Sequence, residues 1–376
     1  MKIAVNTRVL LPGRLEGIGT FTHHVLKQLV ANHPNDEFLF IFDRKWSSEF
    51  VYADNVTPIY AGPQARHPFL YYIWFEHTIT RLLKKHQPDV FLSPDGYLSL
   101  RSDIPQVAVI HDLNFEHFPH FFDPLHRWHY RTFFPKYSQK AKRIATVSEF
   151  SKKDISVLYD IPLEKIDVIY NGVDTLYQPA DKASVDEFKK NITGGQDYFV
   201  FIGGLYLRKN LSTILKAFDA FKKKTHLPIK FVLAGKSYKE TQELFKLHRT
   251  LECKEDILFL GRVEPREQIP VILSGALSLV YVSLFEGFGL PIAEAMQCGT
   301  PVITGNITAM PEIAGDAAIL ADPYSYQSIA AAMEQIATSH KLRAELRQKG
   351  FEQAKKFTWK NTADKLWKTL QASVNY

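Results

Sequence analysis

The chain has 376 residues, 45% of apolar type and 23% charged, which suits about two ordinary domains with sizeable cores and excludes a disordered polymer. Lys plus Arg number 46 against 40 Asp plus Glu, a net charge of +6. The excess is late: 20 basic and 19 acidic residues lie up to position 175, and 26 and 21 follow. So mild a surplus suits phosphate ligands and is too weak to argue for nucleic acid. Two cysteines, Cys253 and Cys298, cannot make a disulfide framework or a zinc cluster, and they point to a reduced compartment. Residues 1–6 lack the apolar core of a signal peptide. No stretch approaches the roughly 18 apolar residues of a membrane span. A cytoplasmic protein is expected.

Short β-rich runs alternate with helical patterns along the chain, the signature of parallel α/β sheets. In the first half the predicted strands are 2–5, 38–42, 56–60, 90–92, 107–110, 144–147 and 166–169. The second half repeats the rhythm at 199–202, 230–234, 257–260, 279–282, 301–303 and 318–320. Most are continuous apolar runs, as strands covered on both faces should be. The polar stretch 177–197 separates the two sets, so two doubly wound domains of similar size are expected, divided just after Asp174. Neither opens with G-x-G-x-x-G directly after its first strand. The early glycines Gly13, Gly17 and Gly19 come some eight residues too late, which disfavours a dehydrogenase.

Four places carry candidate chemistry. Glu286-Gly287-Phe288-Gly289-Leu290-Pro291-Ile292-Ala293-Glu294 follows the strand 279–282, with Pro291 in the first turn of a helix. Free N–H groups there can hold anionic or polyhydroxyl oxygens, and both carboxylates can face one cleft, where each can accept from neighbouring hydroxyls. A turn with a helix-dipole glutamate explains an isolated E-x7-E equally well. Gly203 to Asn210 follows the strand 199–202; Asn210 is the expected N-cap, and Arg208 and Lys209 stand at the helix mouth, where they could neutralise a diphosphate or be a solvated basic pair. The loop 13–20 ends in Gly19-Thr20, with Thr20 as expected N-cap; it is an anion cradle or an ordinary long loop. His111, at the C-terminal end of the strand 107–110, could hydrogen-bond a substrate hydroxyl, although most of the 14 histidines should be structural.

In this order the motifs resemble those of the retaining glycosyltransferases of family 4. They are the early glycine loop, His111-Asp112-Leu113, Val147-Ser148-Glu149-Phe150-Ser151, Tyr170-Asn171-Gly172-Val173-Asp174, Arg208-Lys209-Asn210, the E-x7-E segment and Ala321-Asp322-Pro323. The resemblance runs nearly end to end. It implies the GT-B fold: an acceptor-binding Rossmann-like domain over 1–174, a nucleotide-sugar-binding one over 175–356, and a last helix in 357–376 returning to the first, with catalysis in the cleft between the domains. It further implies that Glu286 contacts the donor sugar, that backbone N–H groups of Phe288, Gly289 and Leu290 beside Gly287 hold sugar or phosphate oxygens, and that Glu294 takes the ribose hydroxyls. Lys209 with Arg208 would neutralise the diphosphate, with Gly17 and Gly19 closing over the donor phosphate or shaping the acceptor entrance. His111 would bond the transferred sugar, and Arg262-Val263-Glu264 would border the base. Many members carry Arg where this chain has Gly204. With no Asp-x-Asp site and no carboxylate placed as nucleophile, the expectation is a metal-independent, same-face transfer.

The overall pattern is most like mannosyltransferases of polysaccharide assembly, which implies GDP-mannose as donor and a glycan or lipid-linked glycan as acceptor. The alternatives are a UDP-sugar-dependent glucosyl- or N-acetylglucosaminyltransferase and a non-catalytic nucleotide-sugar binder. Segment 126–143 has six Lys or Arg, no acidic residue, and Trp128, Tyr130, Phe133, Phe134 and Tyr137 interleaved. It could press on anionic lipid at the inner face of the membrane, or its aromatics could pack under the sheet, with Pro135 expected to interrupt the helix.

Overall fold

A computed structural model describes residues 1–15, 17–238 and 241–374. Glu16 of the glycine loop and the last two residues of the segment 357–376 lie outside the described residues. The thirteen predicted strands are all present, with ends within two residues of expectation. Contacts divide the chain into two units, Met1–Gly172 with Thr358 onward, and Val173–Phe357. Val173 N–H donates to Phe357 O at 3.0 Å, tying the start of the second unit to its end.

The first unit holds β1 (Lys2–Asn6), β2 (Glu37–Phe42), β3 (Val56–Tyr60), β4 (Val90–Ser93), β5 (Gln106–Val109), β6 (Arg143–Thr146) and β7 (Ile166–Val168). They form one parallel sheet in the order β3-β2-β1-β4-β5-β6-β7. Strand periodicity sorts its residues onto two faces. Ile3, Val5, Phe38, Phe40, Val90 and Leu92 pack under the helices Ile18–Asn32 and Trp359–Val374. Ala4, Leu39, Ile41, Phe91, Ala108 and Ile144 pack under the segment 68–86 and the helices Pro124–Lys140 and Glu149–Tyr159. Continuous apolar strands are the consequence of that double cover.

The second unit holds β8 (Tyr198–Ile202), β9 (Lys230–Ala234), β10 (Ile257–Gly261), β11 (Ser278–Tyr281), β12 (Val302–Gly305) and β13 (Ala318–Ala321), parallel in the order β10-β9-β8-β11-β12-β13. Each sheet reverses strand order once, between β1 and β4 and between β8 and β11. Ligands of open α/β sheets bind beyond the strand ends at such reversals.

Two sequence expectations are corrected. Thr20 is not an N-cap: the helix begins at Ile18 with Gly17 in the cap position at φ +49°, a conformation threonine rarely takes, so Thr20 falls inside the first turn. Pro135 does not interrupt its helix, which runs from Pro124 to Lys140. Asp123 caps its start by accepting from His126 N–H at 3.1 Å, and Phe134 and Tyr137 on either side of the proline are buried against the sheet. Packing there outweighs the lost backbone bond. Most of the aromatic stretch is thus core, while Trp128 stays 57% exposed and Leu125 41%. Among the described residues no helix is long and apolar enough to cross a membrane.

Candidate active site

In the second unit the chain leaves β8 through Gly203 and Gly204, makes a tight turn at Leu207–Lys209, and enters the helix Leu211–Thr225. Asn210 takes the expected N-cap position, its carbonyl accepting from Thr213 and Ile214 N–H at 3.1 Å, but its side chain does not cap the helix. Its backbone is left-handed and its side-chain amide donates to Val282 O at 3.1 Å and Pro323 O at 2.7 Å. It therefore staples the loops after β8, β11 and β13 together, which holds Arg208 and Lys209 in place. A backbone bond from Leu284 N–H to Arg208 O at 2.8 Å closes the same junction.

Beyond β11 the segment 282–289 leads to the helix Leu290–Gln297, with Pro291 in its first turn. Gly289 caps that helix at φ +92°, and a Cβ there would stand 2.9 Å from Ile292 Cδ1. Backbone and space both demand glycine. Glu286 lies just before the helix and is buried. Its Oε1 accepts from Lys209 Nζ at 2.6 Å, Arg208 Nη1 at 3.0 Å and the Tyr281 hydroxyl at 3.1 Å, and Lys209 also bonds the Tyr281 hydroxyl. Burial pushes the Glu286 carboxyl up, but Lys209 and then Arg208 outweigh it and bring the pKa down to about 2. The buried carboxylate thus keeps two cations gathered at the end of the sheet, where they can neutralise an anionic ligand.

Glu294, in the next helix and also buried, sits in the opposite field. Burial raises its pKa to about 7, with Asp174 adding to the rise, against the Tyr177 hydroxyl and Arg266 pulling it down. Tyr177 stands between them, its hydroxyl within hydrogen-bonding reach of Arg266 and of the Glu294 carboxylate. Two carboxylates on one loop-helix element therefore differ widely in acidity. One is a fixed anion, and the other is poised to gain or lose a proton near neutrality.

In the first unit His111 follows β5 by two residues. Its Nε2 lies 2.9 Å from Pro94 O, and since a carbonyl only accepts, Nε2 carries the hydrogen and Nδ1 keeps the lone pair. Burial lowers its pKa, against the Pro94 bond and nearby Asp112 and Asp95. Phe21 meets its ring edge-on at 4.8 Å. The Ser148–Ser151 motif braces it: Ser148 caps the helix Glu149–Tyr159 and the Ser151 hydroxyl donates to His111 O at 3.2 Å.

The structure therefore gathers Glu286, Arg208, Lys209 and the 287–290 turn. Phe288 itself is buried edge-on against Phe357 at 5.4 Å, leaving backbone rather than ring as its contribution to a ligand. Arg262 lies after β10, ion-paired with Glu264 at 2.6 Å, with Val263 half-buried between them. Gly17 caps the first helix, and Gly19 is buried within its first turn. Sequence reasoning missed Tyr281, Tyr177 and Arg266, whose roles depend on contacts across the fold. It also missed Arg8, just beyond β1. Arg8 Nε donates to Asp95 at 2.6 Å and Nη1 to Ala65 O at 2.9 Å, with the guanidinium over the Tyr97 and Tyr71 rings. A basic residue directly following a buried strand was the available signal. No group of His, Cys, Asp and Glu suited to a metal ion occurs among the described residues.

Residues 183–353 match the family described as glycosyl transferases group 1, and residues 15–176 match glycosyltransferase family 4. With the two parallel sheets this defines the class: the chain belongs to the family 4 type of GT-B glycosyltransferases. Among individual relatives, it is 28% identical over 359 residues to O-antigen chain mannosyltransferase B of Escherichia coli, covering 92% of this chain and 93% of that one. It is 28% identical to O-antigen chain mannosyltransferase RfbU of Salmonella typhimurium over 61% of this chain and 60% of that one. In fold it is similar to HepE of Anabaena, crystallised with UDP and glucose, at a TM-score of 0.73 and 18% identity over 99% of both chains. Sucrose-phosphate synthase of Thermosynechococcus elongatus gives a TM-score of 0.78 at 16% identity, over 98% of this chain and 97% of that one. The chain is thus a glycosyltransferase with polysaccharide mannosyltransferases among its relatives.

Proposed function

We propose that the chain transfers mannose from GDP-mannose, with retention at the anomeric carbon, to a glycan or lipid-linked glycan acceptor. The donor diphosphate lies against Lys209, Arg208 and the N-terminus of the helix Leu290–Gln297; Glu286 contacts the sugar, Glu294 the ribose hydroxyls, and His111 the transferred sugar. The single observation that carries this reading is the joint grip of Lys209 and Arg208 on buried Glu286 at the strand reversal. The choice of mannose is supported by similarity to the O-antigen mannosyltransferases.

In the reaction the C1–O bond to the diphosphate breaks and its electron pair leaves with the phosphate oxygen. The acceptor hydroxyl oxygen forms the new bond to C1 on the same face, and its proton passes to the leaving phosphate oxygen. Two cations and a helix N-terminus stabilise the developing charge, so no divalent ion is required. The test follows GDP-α-mannose turnover by proton NMR, with and without EDTA. Product that first appears as the α-anomer, at an EDTA-insensitive rate, is expected. A β-anomer would overturn retention, loss with EDTA would overturn metal independence, and turnover of UDP-glucose but not GDP-mannose would select the UDP-sugar alternative. A protein that binds donor and turns over neither would be a non-catalytic binder.

The proposed setting is the cytoplasm, which the free thiols of Cys253 and Cys298 suit. A peripheral contact with the membrane's inner face is supported by exposed Trp128 and Leu125 beside Arg127 and Arg131. Co-sedimentation with anionic vesicles, reduced in Trp128→Ala, is the expected result; equal recovery with neutral vesicles would overturn the contact.

A further inference from the structure

The loops after β8, β9 and β10 are laced together. Gly203 N–H donates to Ala234 O at 2.9 Å, Leu205 N–H to Lys236 O at 3.0 Å, and Gly235 N–H to Gly261 O at 2.7 Å. On this base Tyr206 and Tyr238 stack with ring centroids 4.1 Å apart and planes 22° from parallel. Tyr238 is fixed at its backbone by the Thr241 hydroxyl at 2.8 Å, which itself donates to Leu205 O, and Lys236 Nζ lies 5.4 Å from its ring centroid.

The pair also explains Gly204. A Cβ there would stand 2.7 Å from Tyr206 Cε2 and 3.1 Å from Tyr238 Cε2, so no larger residue fits while the stack is formed. In this chain position 204 is floor space for two aromatic rings. Tyr206 remains 38% exposed and begins the turn that presents Arg208 and Lys209.

We propose that the Tyr206–Tyr238 pair is the platform on which the planar base of the donor nucleotide stacks, with Tyr206 as the contacting ring and Tyr238 as its support. A nucleoside diphosphate joins a flat π-system to a double negative charge. Here a rigid aromatic surface precedes two cations by two and three residues. Tyrosine suits this role because its few rotatable bonds, already fixed by the stack, leave little entropy to lose on binding. Arg262, just beyond Gly261 on the same laced base, borders the platform rather than forming it. The stack reads the flatness of a base and not its edge, so it adds affinity for purine and pyrimidine nucleotides alike.

This inference rests on the donor-site reading above, and the test separates the two. Dissociation constants of GDP and of inorganic pyrophosphate are measured by calorimetry for the wild-type chain, Tyr206→Ala, Tyr238→Ala, Tyr206→Phe and Lys209→Ala. Expected is a loss of about ten-fold or more in GDP affinity for both alanine variants, with pyrophosphate unchanged and Tyr206→Phe close to wild type. Lys209→Ala should weaken both ligands. If the tyrosine variants weaken GDP and pyrophosphate equally, or leave GDP unchanged while Lys209→Ala still matters, the platform is overturned and the donor site stands. If wild type binds neither ligand, both fall. Tyr206 is partly exposed, so its alanine variant keeps the comparison valid should Tyr238→Ala fail to fold.

Discussion

Opposite demands on two buried carboxylates dominate the residue scale. Lys209→Ala removes a cation from the proposed diphosphate site and leaves Glu286 facing Arg208 alone; about 3 kcal/mol of transition-state stabilisation should be lost, roughly a hundred-fold in kcat. Single-turnover kinetics at saturating donor check this, and an unchanged rate would remove Lys209 from the reaction. Glu294 has a folded-state pKa raised from 4.5 to about 7. Its share of stability is therefore fully present below about pH 4.5 and is lost as the pH rises toward 7, so ionised Glu294 costs the fold up to ~3 kcal/mol. Glu294→Gln should unfold at a higher temperature than wild type at pH 8, match it near pH 4, and bind GDP more weakly at both. Equal melting at pH 8 would show that the carboxylate is not strained. The pairing of Arg208-Lys209 with the E-x7-E segment was legible as spacing. The identity of the third and fourth partners, Tyr281 and Tyr177, was not, because neither lies in a motif and each meets a charged residue far along the chain, Lys209 for Tyr281 and Glu294 for Tyr177.

At the scale of elements, strands were the most legible feature, since buried parallel strands are continuous apolar runs whichever domain they belong to. Cap chemistry was less legible, because it depends on bonds made outside the helix. Asn210 holds the expected N-cap position but spends its side chain on two carbonyls of distant loops, and Gly17 displaces Thr20 from the cap. Within the helix Pro124–Lys140, His129 is fully buried among Tyr71, Tyr97 and Phe133, with neither ring nitrogen hydrogen-bonded. Burial, helped by Arg8 and then His126, holds its pKa near 4 against an ordinary 6.5. The folded state then binds fewer protons than the unfolded one, so stability falls as the pH drops from 6.5 to 4, by up to ~3 kcal/mol. His129→Phe should flatten the urea midpoint over that window; a midpoint that still falls as steeply would place the acid sensitivity elsewhere.

The whole molecule is two sheets of the same winding, and the first is completed by the far end of the chain. Trp359, Ala363, Leu366 and Leu370 from the last helix are buried in the same cluster as β1, β2, β4 and β5. His24 stacks on Trp359 at 4.8 Å and His33 on Trp367 at 3.5 Å. Leu366→Ala should cost about 2–5 kcal/mol, confined to the first unit. Hydrogen exchange should show faster exchange in β1–β6 and none in β8–β13; equal loss in both units would contradict that assignment. Doubly wound halves were visible in the alternation of runs, and the ordered motif set pointed to the family. The sugar and the base are set by contacts of individual side chains, which no periodicity reveals.

Everything proposed for this chain depends on a nucleotide diphosphate site at Arg208, Lys209 and Glu286. The most direct measurement is the thermal midpoint of the wild-type chain and of Lys209→Ala in excess GDP, UDP, ADP and NAD. At about 100 times its dissociation constant a ligand adds roughly 2.7 kcal/mol, a readily visible shift. A rise with GDP that Lys209→Ala abolishes is the predicted result. Stabilisation by NAD alone, or by none of the four, would contradict the assignment of this site.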